Sequence, residues 1–431
     1  MHGLIRRRLP VAGLAVALVA ALGVGACGTK ENKSKAPAHP TITYWSSWRV
    51  GEPQQVIFAD AVSAYEKATG VTVDVRWLGR DYGDSVKNAG AVGKAPDVFD
   101  DADDHITDFR AHGLIEDLSG MMGMKIPNEG VTLGSVLPAS VQKASSDAAG
   151  LAMIPYTLTS SGIWFDAATH PEWATDPPAT FDDLLAAAEK IKAAGGVPFA
   201  QDGTVNGYNA YWIYWLLDRH GGPGTLASLG KSPAGWDNPA VLAAAQDVER
   251  LVKANLFEPD YMATKYPAAQ NQWAERKEAM NINGTWLNSE TSPDQVSGFQ
   301  AQMFQFPSVP GGSDSVEVGT IGWSINPKSP NVAAAESFLA FLMQKQYMGR
   351  ISTQALNMSS RSDVPAPPTL AAAQKAIIAA TSVQPTDDGA SNLYTGWWND
   401  VFLPLDDQLF SGKITAQQFV SMGKSQTASY H

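Results

Sequence analysis

The chain has 431 residues, 44% of them hydrophobic and 17% charged, with 43 acidic against 31 basic side chains and a net charge of −12. That acidic balance argues against nucleic acid and against a broad electrostatic grip on anionic lipid. One cysteine and seven histidines beside thirteen tryptophans argue against a disulfide framework and against metal or thiol chemistry; they point to aromatic contacts, in a chain long enough for two or three domains of about 100–200 residues each.

Arg6, Arg7 and Arg8 precede an uncharged, largely apolar run over 9–24. The run is short for a membrane span, and basic-then-apolar is the layout of a secretory signal. It leads into VGAC, which resembles the lipobox of bacterial lipoproteins. That resemblance implies cleavage before Cys27 and diacylglyceryl modification of its sulfur; the alternative is a plain signal peptide with a chance cysteine. Residues 1–26 are therefore expected to be a lipoprotein signal peptide and 27–40 a polar tether. Cleavage there deletes three arginines and no acid, so the mature chain becomes more acidic still.

Beyond the tether, strands and helices alternate. ITYW is a short β-type run ending in SSW. A helix is predicted over 54–69, where Phe58, Val62 and Tyr65 fall on one face and Gly70 closes it. VTVDVRW follows with strict period two. APDVFDD is a third short strand, and HITDFRAHGLIEDL a helix with Gly113 near its end. This βαβ order predicts a mostly parallel sheet. The stretch 150–166, GLAMIPYTLTSSGIWFD, is one long extended segment with Pro155 in its middle, long enough to leave one lobe and enter another. In that second lobe Thr180 to Asp183 reads as a capping box. VPFA is a strand, YNAYWIYWLLDRHGG and PAVLAAAQDVERLVKANL are helices, and QWAERKEAMNINGTW runs from helix into strand. FQAQMFQFPSVPGG returns extended, GTIGWSINP is a strand, NVAAAESFLAFLMQKQYMG a helix, and the rest is helical with loops. The expected division is a first α/β lobe of 41–155 plus 307–364 and a second of 156–306 plus 365–431. Crossings near Tyr156 and Pro307 would join them, with a cleft between as the natural ligand site.

The mature chain resembles the carbohydrate-binding lipoproteins of ABC importers, the maltose-binding-protein-like group of extracellular solute-binding proteins. The resemblance rests on ITYWSSW, AYEKATGVTVDV, GKAPDVFDDADDHITDFRAHGLIEDLS, IPYTLTSSGIWFD, AAQNQWAERKEAMNINGTWL and VGTIGWSINPKSPNVAAAESFLAFL, in that order behind a lipobox. It implies an α/β, two-lobed periplasmic-binding-protein-like clamshell with hinge crossings and a ligand cleft between the lobes. It further implies capture of a sugar, delivery to membrane permease subunits, and no catalysis.

Sugars present an apolar C–H face and a ring of hydroxyls, so aromatic plates with carboxylates and amides are the expected partners. Trp45 and Trp48 supply plates at the end of the first strand, with Ser46 and Ser47 as donors; alternatively one Trp covers the core edge. Asp100 and Asp101 follow the third strand, where the family pattern usually carries an acidic or polar residue. Asp103 or Asp104 reads as a helix cap, and the calcium-loop spacing is not met. Tyr208, Tyr211, Trp212 and Trp215 form one helical stripe. Trp215 reads as core, while Asn209, Tyr211 and Trp212 at the helix start are candidates for the cleft. Asn283 and Trp286 of NGTW stand at a strand end, a position the family turns toward the sugar. Tyr156 at the crossing, Trp323 and Arg361 complete the set, Arg361 with the alternative of a surface arginine. Several plates together suit a di- or oligosaccharide.

Enzyme motifs fail. GGPGTLASLGKS misses the phosphate-loop spacing, and neither G-x-S-x-G nor H-E-x-x-H occurs. His105 and His112 are seven apart, not at paired-metal spacing, and are expected to be solvated. No metal and no cofactor are expected, and the chain is expected to be a monomer. Two alternatives remain: a secreted carbohydrate-active enzyme of the glycoside-hydrolase kind, and a receptor for a non-sugar cargo such as a polyamine.

Overall fold

The computed structural model describes residues 40–431. Cys27, the apolar run before it and nearly all of the polar stretch after it lie outside the described residues. The main strands are β1 (Thr41–Ser46), β2 (Thr72–Trp77), β3 (Val98–Ala102), β4 (Ile154–Thr159), β5 (Ser161–Asp166), β6 (Val197–Ala200), β7 (Glu278–Gly284), β8 (Ala301–Phe304), β9 (Gly319–Ile325) and β10 (Met358–Ser359). They form a six-stranded sheet in the order β10-β4-β9-β3-β1-β2 and a four-stranded sheet in the order β8-β5-β7-β6. The segment 150–166 does pass from one sheet to the other: β4 and β5 are separated by Ser160 alone.

The expectation of a mostly parallel sheet is corrected. β1 runs parallel to β2 and β3, but β9 is antiparallel to both β3 and β4, and β10 is antiparallel to β4. The second sheet is mixed as well, with β6 parallel to β7 and β5 antiparallel to β7 and β8. The physical reason lies in the crossings. A chain returning from the other sheet enters through the edge at which β1, β3 and β4 end, so β9 must run against them.

The first long helix, Pro53–Thr69, starts with Pro in its first turn and ends at Gly70, whose φ of 74° suits a residue without Cβ and whose N–H donates to the Glu66 carbonyl. Its Ile57, Phe58, Ala61, Val62 and Tyr65 are buried, and the Phe58 ring meets Tyr156 and Trp323. Two expected helices are shorter than their patterns. HITDFRAHGLIEDL is helical only over Ile106–Ala111 before the left-handed Gly113. NVAAAESFLAFLMQKQYMG splits into Val332–Leu342 and Lys345–Thr353, and the Met343 carbonyl between them accepts from Arg361 Nη1 at 2.6 Å.

Each sheet has its own core. One gathers Tyr44, Phe58, Tyr156, Trp323 and Phe338, the other Phe199, Trp212, Trp215, Trp236 and Phe402. A third cluster joins the sheets: Leu158 of β4 and Met358 of β10 pack with Trp164 of β5 and Met303 of β8.

Candidate functional site

Period two along β1 sends Tyr44 and Ser46 to one face and Trp45 to the other. Asp100, two residues past the β3 position facing Tyr44, collects the corner that follows. Its Oδ1 accepts from the Tyr44 hydroxyl at 2.7 Å. Its Oδ2 accepts from Ser46 Oγ at 2.7 Å, Ser47 N at 2.6 Å and Ser47 Oγ at 3.0 Å. Burial pushes this carboxyl up to about 6, and the four donors pull it back only in part. The corner so fixed presents Trp48, whose Nε1 donates to the Tyr156 hydroxyl at 2.8 Å. Arg80 lies 4.9 Å over the Trp48 ring, donates to the Ser47 carbonyl at 2.6 Å, and pairs with Glu52 through both terminal nitrogens, at 2.9 and 3.0 Å.

Trp48 opens onto a cavity of about 640 Å³ lined from both sheets. The first side supplies Ser47, Trp48, Gln54, Arg80, Thr157, Thr159 and Asn357, with Glu52, Tyr82, Asp104 and His105. The other side supplies Thr285, Trp286, Ser289 and Glu290, just past the end of β7. Trp286 is half-buried, and its ring rests so close to Gly284 that a Cβ there would fall 2.2 Å from it. Thr285 N donates to the Ser160 carbonyl at 2.9 Å, tying this wall to the crossing strand. Thr157 Oγ1 is buried without a partner in the cavity lining.

Of the residues singled out from the sequence, Trp48 and Trp286 meet in this cavity. Trp45 does not: it lies on the opposite face of β1, against the Phe99 and Phe109 cluster, with Arg76 5.2 Å from its ring. Asp100 and Asp101 are fully buried and spent internally, Asp101 on Ser324 Oγ and the Ala102 N–H, both at 2.8 Å. Tyr156 stands behind Trp48 as its hydrogen-bond acceptor, and Trp323 is core, 4.4 Å from the Tyr156 ring and donating to the Tyr44 hydroxyl. Asn209 bonds Gly203, Asp407 and Gln201 inside its own lobe. Tyr211 stacks on Tyr208, and Trp212 packs edge-on against Phe199. Asn283 Oδ1 takes the Gly284 N–H. Arg361 is neither at the cleft nor on the surface; it is 1% exposed and held by Asp363, Glu129 and the Met343 carbonyl.

Other residues of the lining were not anticipated. Thr157 and Thr159 alternate along β4 beside Tyr156, a period-two signal in IPYTLT that was open to reading. His105, expected in solvent, lines the cavity with Nδ1 2.8 Å from the Tyr82 hydroxyl. Neither Asp103 nor Asp104 caps a helix; Asp103 instead accepts from the Thr320 N–H at 3.0 Å. The phosphate-loop look-alike ends at the helix Thr225–Lys231, whose first N–H groups are taken by the Asp388 carboxylate at 2.6 Å (Gly224) and 2.9 Å (Leu226). Among the described residues, no three or more His, Cys, Asp or Glu side chains are grouped to hold a metal ion, and no helix is long and apolar enough to cross a membrane.

A cavity between two mixed sheets linked by crossing strands is the architecture of a two-lobed binding protein, and residues 51–349 match the model of the bacterial extracellular solute-binding proteins. The chain belongs to that family. The family places such proteins on the extracellular or periplasmic side, and its members bind solutes rather than transform them. This solute-binding protein is 24% identical over 216 residues to the diacetylchitobiose binding protein NgcE of Streptomyces coelicolor, covering 48% of this chain and 45% of the relative. It is 25% identical over 213 residues to the multiple sugar-binding protein of Streptococcus mutans, covering 45% and 49%. The chain thus spans about half the length of these curated relatives. Among solved structures, the bacterial solute receptor AcbH, described with a preference for β-D-galactopyranose, superposes with a TM-score of 0.75 at 16% identity over 91% of this chain and 99% of that one. That likeness establishes the two-lobed fold.

Proposed function

We propose that this solute-binding protein captures a sugar, of di- or oligosaccharide size, for a carbohydrate ABC importer. One observation carries the reading: Trp48 and Trp286 reach one cavity from opposite lobes, among threonine and serine hydroxyls and the amides of Gln54 and Asn357. Indole faces suit the C–H face of a pyranose, and the surrounding polar groups suit its hydroxyls. The sugar ligands named for NgcE, the Streptococcus mutans protein and AcbH support it. Only a closed arrangement touches the ligand from both sides, so binding would shift the lobes toward closure. The lobes would follow the division 41–155 plus 307–364 and 156–306 plus 365–431.

The test is a titration of intrinsic tryptophan fluorescence with malto-, cello-, xylo- and chito-oligosaccharides, with recovery of the sugar afterwards. A saturable shift with intact sugar is the expected result; a shortened sugar would make the protein a hydrolase. Trp286→Ala is expected to weaken binding by about 1–3 kcal/mol, roughly five- to 150-fold, through lost stacking area. Trp45→Ala, on the far face of β1, is expected to leave affinity within about twofold. The opposite ranking would dismiss this cavity as the site.

The remaining parts of the reading concern location and partners. Cys27 would carry the lipid that holds the protein at the cell membrane, as a monomer beside its permease subunits, which raises the local concentration of loaded receptor. Cys27→Ser is then expected to move the protein from the membrane fraction to the medium or periplasm. Retention in the membrane fraction would rule out this anchor.

A further inference from the structure

The ionisable side chains lining the cavity are Glu52, Arg80, Tyr82, Asp104, His105 and Glu290. Glu52 and Arg80 cancel through their two-pronged pair. Tyr82 stays a neutral phenol, held well above its ordinary range by burial and by the acids around it. Two carboxylates remain, one from each lobe. Asp104 follows β3; its closest cationic neighbour is His105 Nε2 at 3.9 Å, which is charged only when protonated. Glu290 stands on the turn of helix after Trp286, and its partners are neutral donors, Gln270 Nε2 at 3.1 Å and the Tyr266 hydroxyl at 3.3 Å. Among the described residues, no Lys or Arg lies within 4.0 Å of either carboxylate.

Such a cavity holds more acceptor charge than the hydroxyls of a neutral ligand use. Both carboxylates are exposed here, the Asp104 side chain by 52%; closing the lobes on a ligand would take water from them and raise their mutual repulsion. A neutral sugar satisfies hydroxyl-binding groups but leaves both charges standing. An ammonium group relieves both and donates up to three hydrogen bonds. A second observation, independent of the acids, also asks for a ligand donor or acceptor: Thr157, 1% exposed, lines the cavity with Oγ1 unpartnered. The two tryptophans rule the geometry toward a ring rather than a plain chain, since a linear amine offers no flat C–H face for them. The net charge of −12 draws cationic solutes toward the protein at long range.

We infer that the cargo is an amino sugar, a carbohydrate whose free, protonated amine is held by Asp104 of one lobe and Glu290 of the other. This rests on the sugar-receptor reading above. Wild-type protein, Asp104→Asn and Glu290→Gln would be titrated at low salt with glucosamine oligomers of one to three rings. Their N-acetylated counterparts, cello-oligosaccharides of the same lengths and putrescine would be titrated in parallel. The expected result is that a glucosamine oligomer binds at least about tenfold tighter than its N-acetylated counterpart. Each substitution should bring that ratio to within about threefold of unity. If the N-acetylated or cello-sugar binds as tightly as the amine in wild-type protein, or if the tenfold ratio survives both substitutions, the amine inference is overturned and the sugar receptor stands. If no sugar binds, with or without a response to putrescine, both readings fall.

Discussion

Replacing Asp100 by alanine is expected to lower the free energy of unfolding by about 3–5 kcal/mol and to remove ligand binding in whatever folded fraction remains. Four donors converge on this one buried carboxylate, from Tyr44, from Ser46 and twice from Ser47. Alanine strands all of them at a fully buried position. The same donors set the path of the corner that presents Trp48, so the first plate of the cavity would be lost with them. Asp100→Asn keeps the volume and one acceptor oxygen, and is expected to lose about 1–2 kcal/mol.

The pair of variants also has a pH signature. The Asp100 carboxyl in the folded protein titrates near 6, above its ordinary 3.8. A carboxyl raised on folding contributes stability that is complete below its unfolded value and is lost as pH rises through the folded one. Wild-type stability is therefore expected to fall between pH 4 and pH 6–7 on account of this group. Glu317, pushed up to about 8 by burial and pulled back only in part by the hydroxyls of Ser161 and Tyr214, extends the fall further. Urea denaturation across pH 4–8 should show a shallower slope for Asp100→Asn between pH 4 and 6. An unchanged slope in that window would remove Asp100 as its source.

Arg219→Met is expected to cost about 3–5 kcal/mol as well, by a different route. This guanidinium is 3% exposed and sits 4.6 Å over the Trp215 ring. It donates to the carbonyls of Phe306 (2.9 Å), Pro307 (3.2 Å) and Ser315 (2.9 Å), and pairs with Asp218 at 2.7 Å. Those carbonyls belong to the chain that returns from the second sheet, and Gly312 permits the approach: a Cβ there would lie 2.1 Å from the Arg219 carbonyl. Methionine fills the stem but leaves Asp218 as a buried charge whose remaining partner is Ser315 Oγ. The double change Asp218→Asn with Arg219→Met should recover part of the loss, because the uncompensated charge goes with it. Denaturation curves of the single and double variants decide this. A single variant within about 1 kcal/mol of wild type would mean that the clamp is not what holds the return crossing.

Local chemistry in the sequence determined much of the frame. Period two in VTVDVRW, the Phe58-Val62-Tyr65 stripe stopped by Gly70, the capping box at Thr180 and the long run through Pro155 each depend on residues within a few positions of one another. NGTW could be placed at a strand end for the same reason, and with it Trp286. The direction of β9 was decided elsewhere, by the return of the chain through the cleft edge. So were the fates of Asp100, Asp101, Asn209 and Arg361. Each looked like a polar group free to meet a ligand, and each is consumed by donors or acceptors that the fold brings from distant parts of the chain. For Asp100 those donors stand 53 to 56 residues earlier. Trp45 and Trp48 illustrate the same boundary within four residues. Composition makes them equivalent plates, and alternation separates their faces, but only the packing of Phe99 and Phe109 on one side and the second lobe on the other decides which of them meets the cavity. A polar or aromatic side chain becomes a binding group through what its neighbours leave unsatisfied or uncovered, and those neighbours are chosen by tertiary contact.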